Sequence, residues 1–381
     1  MMIEPRDILL SLVRSALWNV PVDSVPSDVK WENVFRLARQ QTLLGLLADG
    51  LQKLPADCMP DLTLVRKLKS YVVKNIQTHS FMTDRLGQTL QTLRDGGVEP
   101  VLLKGHGLAL NYPNPISRQC GDVDFYVGKE AYSRSVEICL NRFGAGDHEL
   151  ENLKHYHFDN QGIVIELHKV ASIVPGLFRN ASFQKWTVGC MAPSQLRRVE
   201  LDGVQVMLPS HRFDVIYIMV HAWHHFLEGG VGLRQLCDWT MYLHKFHTCI
   251  DADVLKADLK AFGLTRVWHL FAWIAVNELG LPSNKCPLYS GRYSEDAKKM
   301  MEVIWSDGNF GRYSERNSKS PEGYVGGKLH SMKVTIKRFF RIMPVYPSQV
   351  LSALVLYFLA GIYQFLRGLV SRKNLSYRIK K

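Results

Sequence analysis

Two aspartates one residue apart stand in Gly121-Asp-Val-Asp-Phe-Tyr-Val127. Side chains alternate along a strand, so Asp122 and Asp124 share one face while Val123, Phe125 and Val127 take the other. Paired carboxylates repel, and both ionise at low cost only with a cation between them. Hard oxygen donors at that spacing suit Mg²⁺ (or Mn²⁺), which fills its shell with water and phosphate oxygens. The chemistry served is displacement at phosphorus, in which metal activates the attacking hydroxyl and holds a triphosphate. Solvent-facing pairs of this kind are common, so the pair needs company.

Company comes from both sides. Upstream, Leu102-Leu-Lys-Gly-His-Gly-Leu108 is a strand running into a glycine turn. Such a turn can present backbone N–H groups to a phosphate, with Lys104 adding charge; a plain strand-to-helix turn would use glycine as well. Downstream, Ile163-Val-Ile-Glu-Leu-His-Lys169 puts Glu166 and His168 on one face and Ile163, Ile165 and Leu167 on the other. A glutamate between two apolar residues is costly when buried unpaired, and the cation on Asp122 and Asp124 would satisfy it. If Asn160-Gln161 is the hairpin loop, Phe158 faces Ile163 and His155 faces Glu166, which puts His155 and His157 on the site face.

The elements that must position these groups follow from periodicity. Residues 5 to 95 show helical spacing at Trp31, Val34, Phe35, Ala38, Leu43, Leu46 and Leu47, and again from Val65 to Leu93, which predicts three or four helices. The pattern changes at Gly96-Gly97. A strand over Val98–Leu103, a strand over Asp122–Val127, a helix over Glu130–Arg142 and a hairpin around Asp159–Gly162 make a small α/β unit. Helical spacing resumes from His211 to Leu279. Within it His221 and His225 share a helix face with zinc-compatible spacing, but Ala222 and Trp223 exclude an HExxH motif. A polar seam closing over a nucleotide cleft, with Arg234 available for phosphate, fits these residues.

The run LLKG, Tyr112-Pro113, Arg118, GDVDFYV at 121–127 and IELH at 165–168 resembles the bacterial uncharacterised nucleotidyltransferase family, part of the polymerase-β-type nucleotidyltransferase superfamily. Trp31–Leu51 and His221–Asp238 are similar to its N-terminal helices and its histidine-rich helix, so the likeness covers about residues 30 to 280. It implies an α+β fold, a small mixed β-sheet nucleotidyltransferase core flanked by N-terminal and C-terminal helical domains. It implies Asp122 and Asp124 as metal ligands, Glu166 as the third carboxylate and Gly105 as the glycine of the nucleotide-binding turn. The superfamily follows that glycine with Gly or Ser; here His106 follows, as in a Lys-Gly variant, and the nucleotide-binding set expected is Lys104, Gly105, His106, Arg118, His168 and Arg234. Arg118 reads as a phosphate-contacting or loop-ordering residue, or as a surface arginine.

Composition sets outer bounds. Lys and Arg number 47 against 35 Asp and Glu, a net charge of +12 that favours anionic partners: nucleotides, nucleic acid or an anionic membrane surface. Seven cysteines without a CxxC pair read as free thiols in a reducing compartment. The charged amphipathic start, Met1–Trp18, does not read as a signal peptide. GxSxG and P-loop motifs are missing. The chain divides into a helical region (1–95), the catalytic core (96–208), a second helical domain (209–305), a polar linker (306–327) and a basic, apolar tail (328–381). Within that tail Val350–Leu366 carries no formal charge and Lys328–Arg341 is basic, so contact of 328–373 with an anionic membrane surface is open. The expectation is a cytoplasmic enzyme, peripheral to the inner face of the membrane if the tail binds it. It transfers a nucleoside monophosphate from an NTP to an unknown hydroxyl or phosphate acceptor, using Mg²⁺ or Mn²⁺. The alternative is a non-catalytic nucleotide-binding or membrane-surface module; binding to nucleic acid rests on charge alone.

Overall fold

A six-stranded mixed sheet carries both acidic segments in the computed structural model, which describes residues 4–144, 155–309 and 324–370. Its strands are β1 (Val101–Leu103), β2 (Asp122–Tyr126), β3 (His155–Asn160), β4 (Ile163–His168), β5 (Arg197–Leu201) and β6 (Val204–Leu208), in the order β3-β4-β2-β1-β6-β5. β2 is parallel to β4 and antiparallel to β1, and β1 is parallel to β6. Together with the helices on either side in sequence, this is an α+β fold with a small mixed sheet.

Alternation gives the sheet two unlike faces. Val123, Phe125, Ile165 and Leu167 point into a core shared with Leu86, Leu90 and Leu93 of α4 (Leu62–Asp95) and with Val136 and Cys139 of α6 (Gly128–Phe143). The long α4 starts at Asp61, whose carboxylate accepts from the Thr63 and Leu64 amides and so satisfies two of the orphan donors of the first turn. The opposite face carries Asp122, Asp124, Glu166 and His168. Beside them Val101, Leu103 and Tyr126 pack on Phe213 and Tyr217 of α8 (His211–Glu228).

The β3–β4 hairpin differs from the expected register. Asn160 pairs with Ile163, so the loop is Gln161-Gly162, His157 opposes Glu166 and His155 opposes His168. Both loop residues have positive φ (55° and 93°), the geometry of a primed hairpin turn, and glycine takes the second position without strain. The shift is two residues, so His155 and His157 stay on the site face. The β5–β6 hairpin, which the periodicity did not reveal, turns in the same way at Asp202-Gly203.

A larger apolar core joins the chain's two helical parts. The helices α1 (Pro5–Trp18), α2 (Trp31–Gln40) and α3 (Leu44–Leu51) bury Leu9, Val34 and Leu47 against α8, α9 (Leu233–Phe246), α10 (Ala252–Phe262), α11 (Thr265–Trp273) and α12 (Ser294–Asp307). Between β1 and β2 lies the short α5 (Gly105–Ala109), and α7 (Leu177–Cys190) precedes β5. Of the polar stretch 306–327, residues 306–307 close α12, residues 324–327 open α13 (Tyr324–Ile342), and 310–323 lie outside the described residues. The last helix among the described residues, α14 (Pro347–Val370), is anchored where Gln349 accepts a 2.7 Å hydrogen bond from the Trp223 indole. Among the described residues no helix is long and apolar enough to cross a membrane.

Two contacts fix the segment that leads into β2. Gly45 of α3 lies so close to Ser117 that a Cβ there would sit 2.1 Å from the Ser117 carbonyl oxygen. Buried Arg118 forms a bidentate pair with buried Asp238 of α9, Nε–Oδ1 2.7 Å and Nη2–Oδ2 2.8 Å, and the Tyr112 hydroxyl donates to the same carboxylate at 2.6 Å. Removing one partner of such a pair leaves an uncompensated charge in the interior. Asp238→Ala should therefore lower the unfolding free energy by about 3–5 kcal/mol, read from urea denaturation. A loss under about 1 kcal/mol would mean that water reaches the guanidinium, as at exposed pairs.

Candidate active site

β2 and β4 bring the acidic segments together. Their parallel register sets Asp124 beside Glu166 and Tyr126 beside His168. Carboxylate oxygens of Asp122, Asp124 and Glu166 all lie within 4.8 Å of one another. Asp124 is fully buried, while Asp122 and Glu166 are partly exposed. Its Oδ1 is met twice, by the Lys104 ammonium at 2.9 Å and by His168 Nε2 at 2.9 Å. Its Oδ2 has no hydrogen-bond partner. His168 Nε2 also lies 3.0 Å from Glu166 Oε2, bridging the two carboxylates.

Backbone geometry explains how Lys104 arrives there. Lys104 follows Leu103, the residue paired with Asp124 across β1 and β2. It turns with φ 50° and ψ −140°, and Gly105 follows with φ 47°. A lysine in that region is strained by about 1–3 kcal/mol and is held by its surroundings, a cost often seen where function fixes a side chain. The ammonium also lies 3.3 Å from His221 Nε2, which in turn lies 3.0 Å from His225 Nε2. A polar chain thus runs from Asp124 through Lys104 to two histidines of α8.

Charge sets the protonation of these groups. Burial alone would raise the Glu166 pKa, but the His168 hydrogen bond, with the charges of His168, His155 and Lys104, brings it down to about 2. Burial works against charge on His168, yet its bonds to Asp124 and Glu166 raise its pKa. Burial likewise opposes the Lys104 charge, and Asp124 overrides it, so that pKa is raised. Burial, then Lys104, hold His221 well below its ordinary value and His225 at about 4. His155 is also lowered, first by burial.

The donor set fits a divalent cation. Three carboxylates face one ammonium and one histidine, and a buried carboxylate oxygen is left without a donor, a costly state that a metal ion relieves. A second group within the same limit, His155, Glu166 and His168, shares Glu166 and offers nitrogen donors.

The model of a family described as "Uncharacterised nucleotidyltransferase" matches residues 27–280, two thirds of the chain. The chain belongs to this family. No curated protein and no solved structure matches it. Membership in the uncharacterised nucleotidyltransferases supports nucleotidyl transfer in general, and with it an NTP as substrate.

The other residues singled out in the sequence of this family member fall in different places. Gly105 starts α5 beside the Asp122 backbone, its nearest neighbour for an added Cβ being the Asp122 carbonyl oxygen at 3.5 Å. His106 turns inward, buried against the His79 ring with 4.9 Å between centroids. Arg118 spends its fork on Asp238, and Arg234 donates to the Gln119 carbonyl, so both order the segment before β2. The reading by sequence missed the Lys104–Asp124 ion pair, the link from Lys104 to His221 and the cluster of His79, His106 and Cys120. Period-two alternation tells which face a residue takes, not which distant helix meets it.

The lowered histidine pKa values give a signed pH dependence. Between pH 6.5 and about 4 the unfolded chain protonates His225 while the folded form resists, so stability falls as pH drops through that window. The slope contributed is at most about 1.4 kcal/mol per pH unit per histidine. His225→Gln should flatten the fall of the urea midpoint between about pH 6.5 and about pH 4.5; a profile parallel to wild type would refute the assignment.

Proposed function

We propose that this nucleotidyltransferase moves a nucleoside monophosphate from an NTP to a hydroxyl or phosphate acceptor, with Asp122, Asp124 and Glu166 holding a divalent metal, Mg²⁺ or Mn²⁺. The observation that carries the reading is the orphaned Asp124 Oδ2, buried within a three-carboxylate cluster. A metal ion bound there supplies Lewis acidity, lowering the pKa of the acceptor hydroxyl and neutralising phosphate oxygens. Lys104 and His168 fix the Asp124 carboxylate in one orientation, and preorganised charge of this kind needs no rearrangement during the reaction. A Glu166 pKa near 2 makes that residue a good ligand and a poor base. His155, kept neutral by burial and 3.9 Å from Glu166, is the group to take the proton of an acceptor hydroxyl. The acceptor oxygen bonds to the α-phosphorus, the bond to the bridging oxygen breaks, and pyrophosphate leaves.

The test measures transfer of α-³²P label, with pyrophosphate release, from each NTP in the presence of Mg²⁺ or Mn²⁺ and cell extract. Asp124→Asn should reduce transfer by roughly 10²–10³-fold, the scale for losing one preorganised electrostatic contact. No transfer above that variant, with any acceptor, would overturn the catalytic reading. One observation favours a second reading, a nucleotide-binding module without turnover: the Lys104 ammonium already neutralises part of the Asp124 charge. That reading requires a thermal shift with NTP that survives in Asp122→Ala; catalysis requires its loss.

We also propose that α13 and α14 rest on an anionic lipid surface. Leu351, Val355, Leu356, Phe358 and Leu359 are exposed on α14, and Lys333, Lys337 and Phe340 on α13. Apolar surface beside lysine is the composition of an interfacial helix. Arg338 and Arg341 do not add to this exposed charge, because both pair with Asp307. The chain should sediment with phosphatidylserine vesicles, less with phosphatidylcholine vesicles, and Lys333→Glu with Lys337→Glu should lower binding about tenfold or more, at about 1 kcal/mol per lysine removed with charge reversal added. Equal sedimentation of the double variant would sink the lipid assignment.

A further inference from the structure

A third cluster of metal-ligating groups shares no residue with the carboxylate site. His79 of α4, His106 of α5 and Cys120, just ahead of β2, offer ligand atoms all within 4.8 Å of one another, and all three residues are buried. His79 Nε2 is 2.7 Å from the Arg118 carbonyl oxygen. A carbonyl only accepts, so Nε2 carries the proton and Nδ1 keeps a lone pair in the neutral ring. That arrangement, one ring nitrogen donating to a backbone carbonyl and the other free to ligate, is how metal-bound histidines are usually oriented. His106 is 5 % exposed and neither ring nitrogen makes a hydrogen bond of ordinary geometry; its polar contact is with the Cys120 sulfur, which His79 also meets. An imidazole so buried, with no oxygen or nitrogen partner for either ring nitrogen, is costly and calls for an explanation. Arg118 Nη1 lies 3.1 Å from Cys120 Sγ, a contact that favours the thiolate.

We propose that His79, His106 and Cys120 bind one thiophilic d¹⁰ metal ion, Cu⁺ or Zn²⁺, at a site separate from the catalytic carboxylates. One thiolate and two imidazoles are soft and borderline donors, unlike the all-oxygen set on β2 and β4. An ion about 2.0–2.3 Å from each donor needs the donors roughly 3.3–3.8 Å apart, a small contraction of the cluster. Charge separates the two ions. The Arg118 charge is matched by Asp238, so the thiolate is the cluster's own charge. Cu⁺ leaves the site neutral; Zn²⁺ leaves one positive charge and needs a fourth ligand. The ion would tie α4 to the turn after β1 and to the residue two places before Asp122. It would thus hold the floor of the carboxylate site.

The test loads the full-length chain, freed of metal, with Zn²⁺ or, without oxygen, with Cu⁺, and counts retained metal after dialysis against a weak chelator. The expected result is one equivalent of one of these ions that is lost in Cys120→Ser and in His106→Gln and kept in Asp122→Asn, any further Zn²⁺ on the carboxylates being lost in Asp122→Asn instead. Retention of neither ion overturns the proposal, as does retention unchanged in Cys120→Ser. Should the cysteine and histidine variants fail to fold, X-ray absorption of the loaded wild type decides. One sulfur with imidazole nitrogens around the metal supports the site, and a shell without sulfur refutes it. Failure of nucleotidyl transfer would leave these outcomes untouched, because none reads activity.

Discussion

A carboxylate wholly removed from water has to be met by cations or donors, and the Oδ1 of Asp124 is met from both neighbouring strands while its Oδ2 is left over. Lys104 reaches it from the end of β1, and His168 reaches it from β4. This geometry depends on register. Asp124 pairs with Leu103 on one side and with Glu166 on the other, so the turn after Leu103 and the alternation after Glu166 deliver the partners. Slipping either strand by one residue would turn the charged set into the apolar core and the apolar set into the cleft. Hydrophobic burial of Val123, Phe125, Ile165 and Leu167 against α4 and α6 is therefore what locks the electrostatics in place.

The helices do more than cover the sheet. α8 contributes Phe213 and Tyr217 as apolar cover, then His221 and His225 one and two turns further along, where His221 meets Lys104 and His225 meets His221. α9 supplies Asp238 to Arg118, which shapes the approach to β2. The charged groups of the site are thus held from three directions: the strands beneath, α8 above, and the buried pair at the entry to β2.

The legible parts of the sequence were those with a strict local period. Asp122–Phe125 and Ile165–His168 alternate between polar and apolar residues, which gave the strands, their faces and the company of Glu166. The β5–β6 hairpin was not legible, because Arg197, Arg198 and Glu200 interrupt the apolar pattern with charge. The β3–β4 register was read two residues off, since Asn160 is as good a turn former as Gly162 and only the need for positive φ at two successive positions separates them. His106 and Arg118 stood next to recognisable motifs and so suggested phosphate. Their actual neighbours, His79 of α4 and Asp238 of α9, are 27 residues upstream and 120 downstream, and no local pattern reports such meetings.

The tight seat of Gly45 on Ser117 bears on how portable this chemistry is. The backbone leading to the aspartates takes its shape from a helix some seventy residues earlier, with no room for even a methyl group between them. Transplanting the sheet alone into a foreign scaffold would leave that approach without its mould. The smallest transferable piece begins upstream of α3, so recombination inside the first hundred residues tends to separate the acids from the surface that aims them.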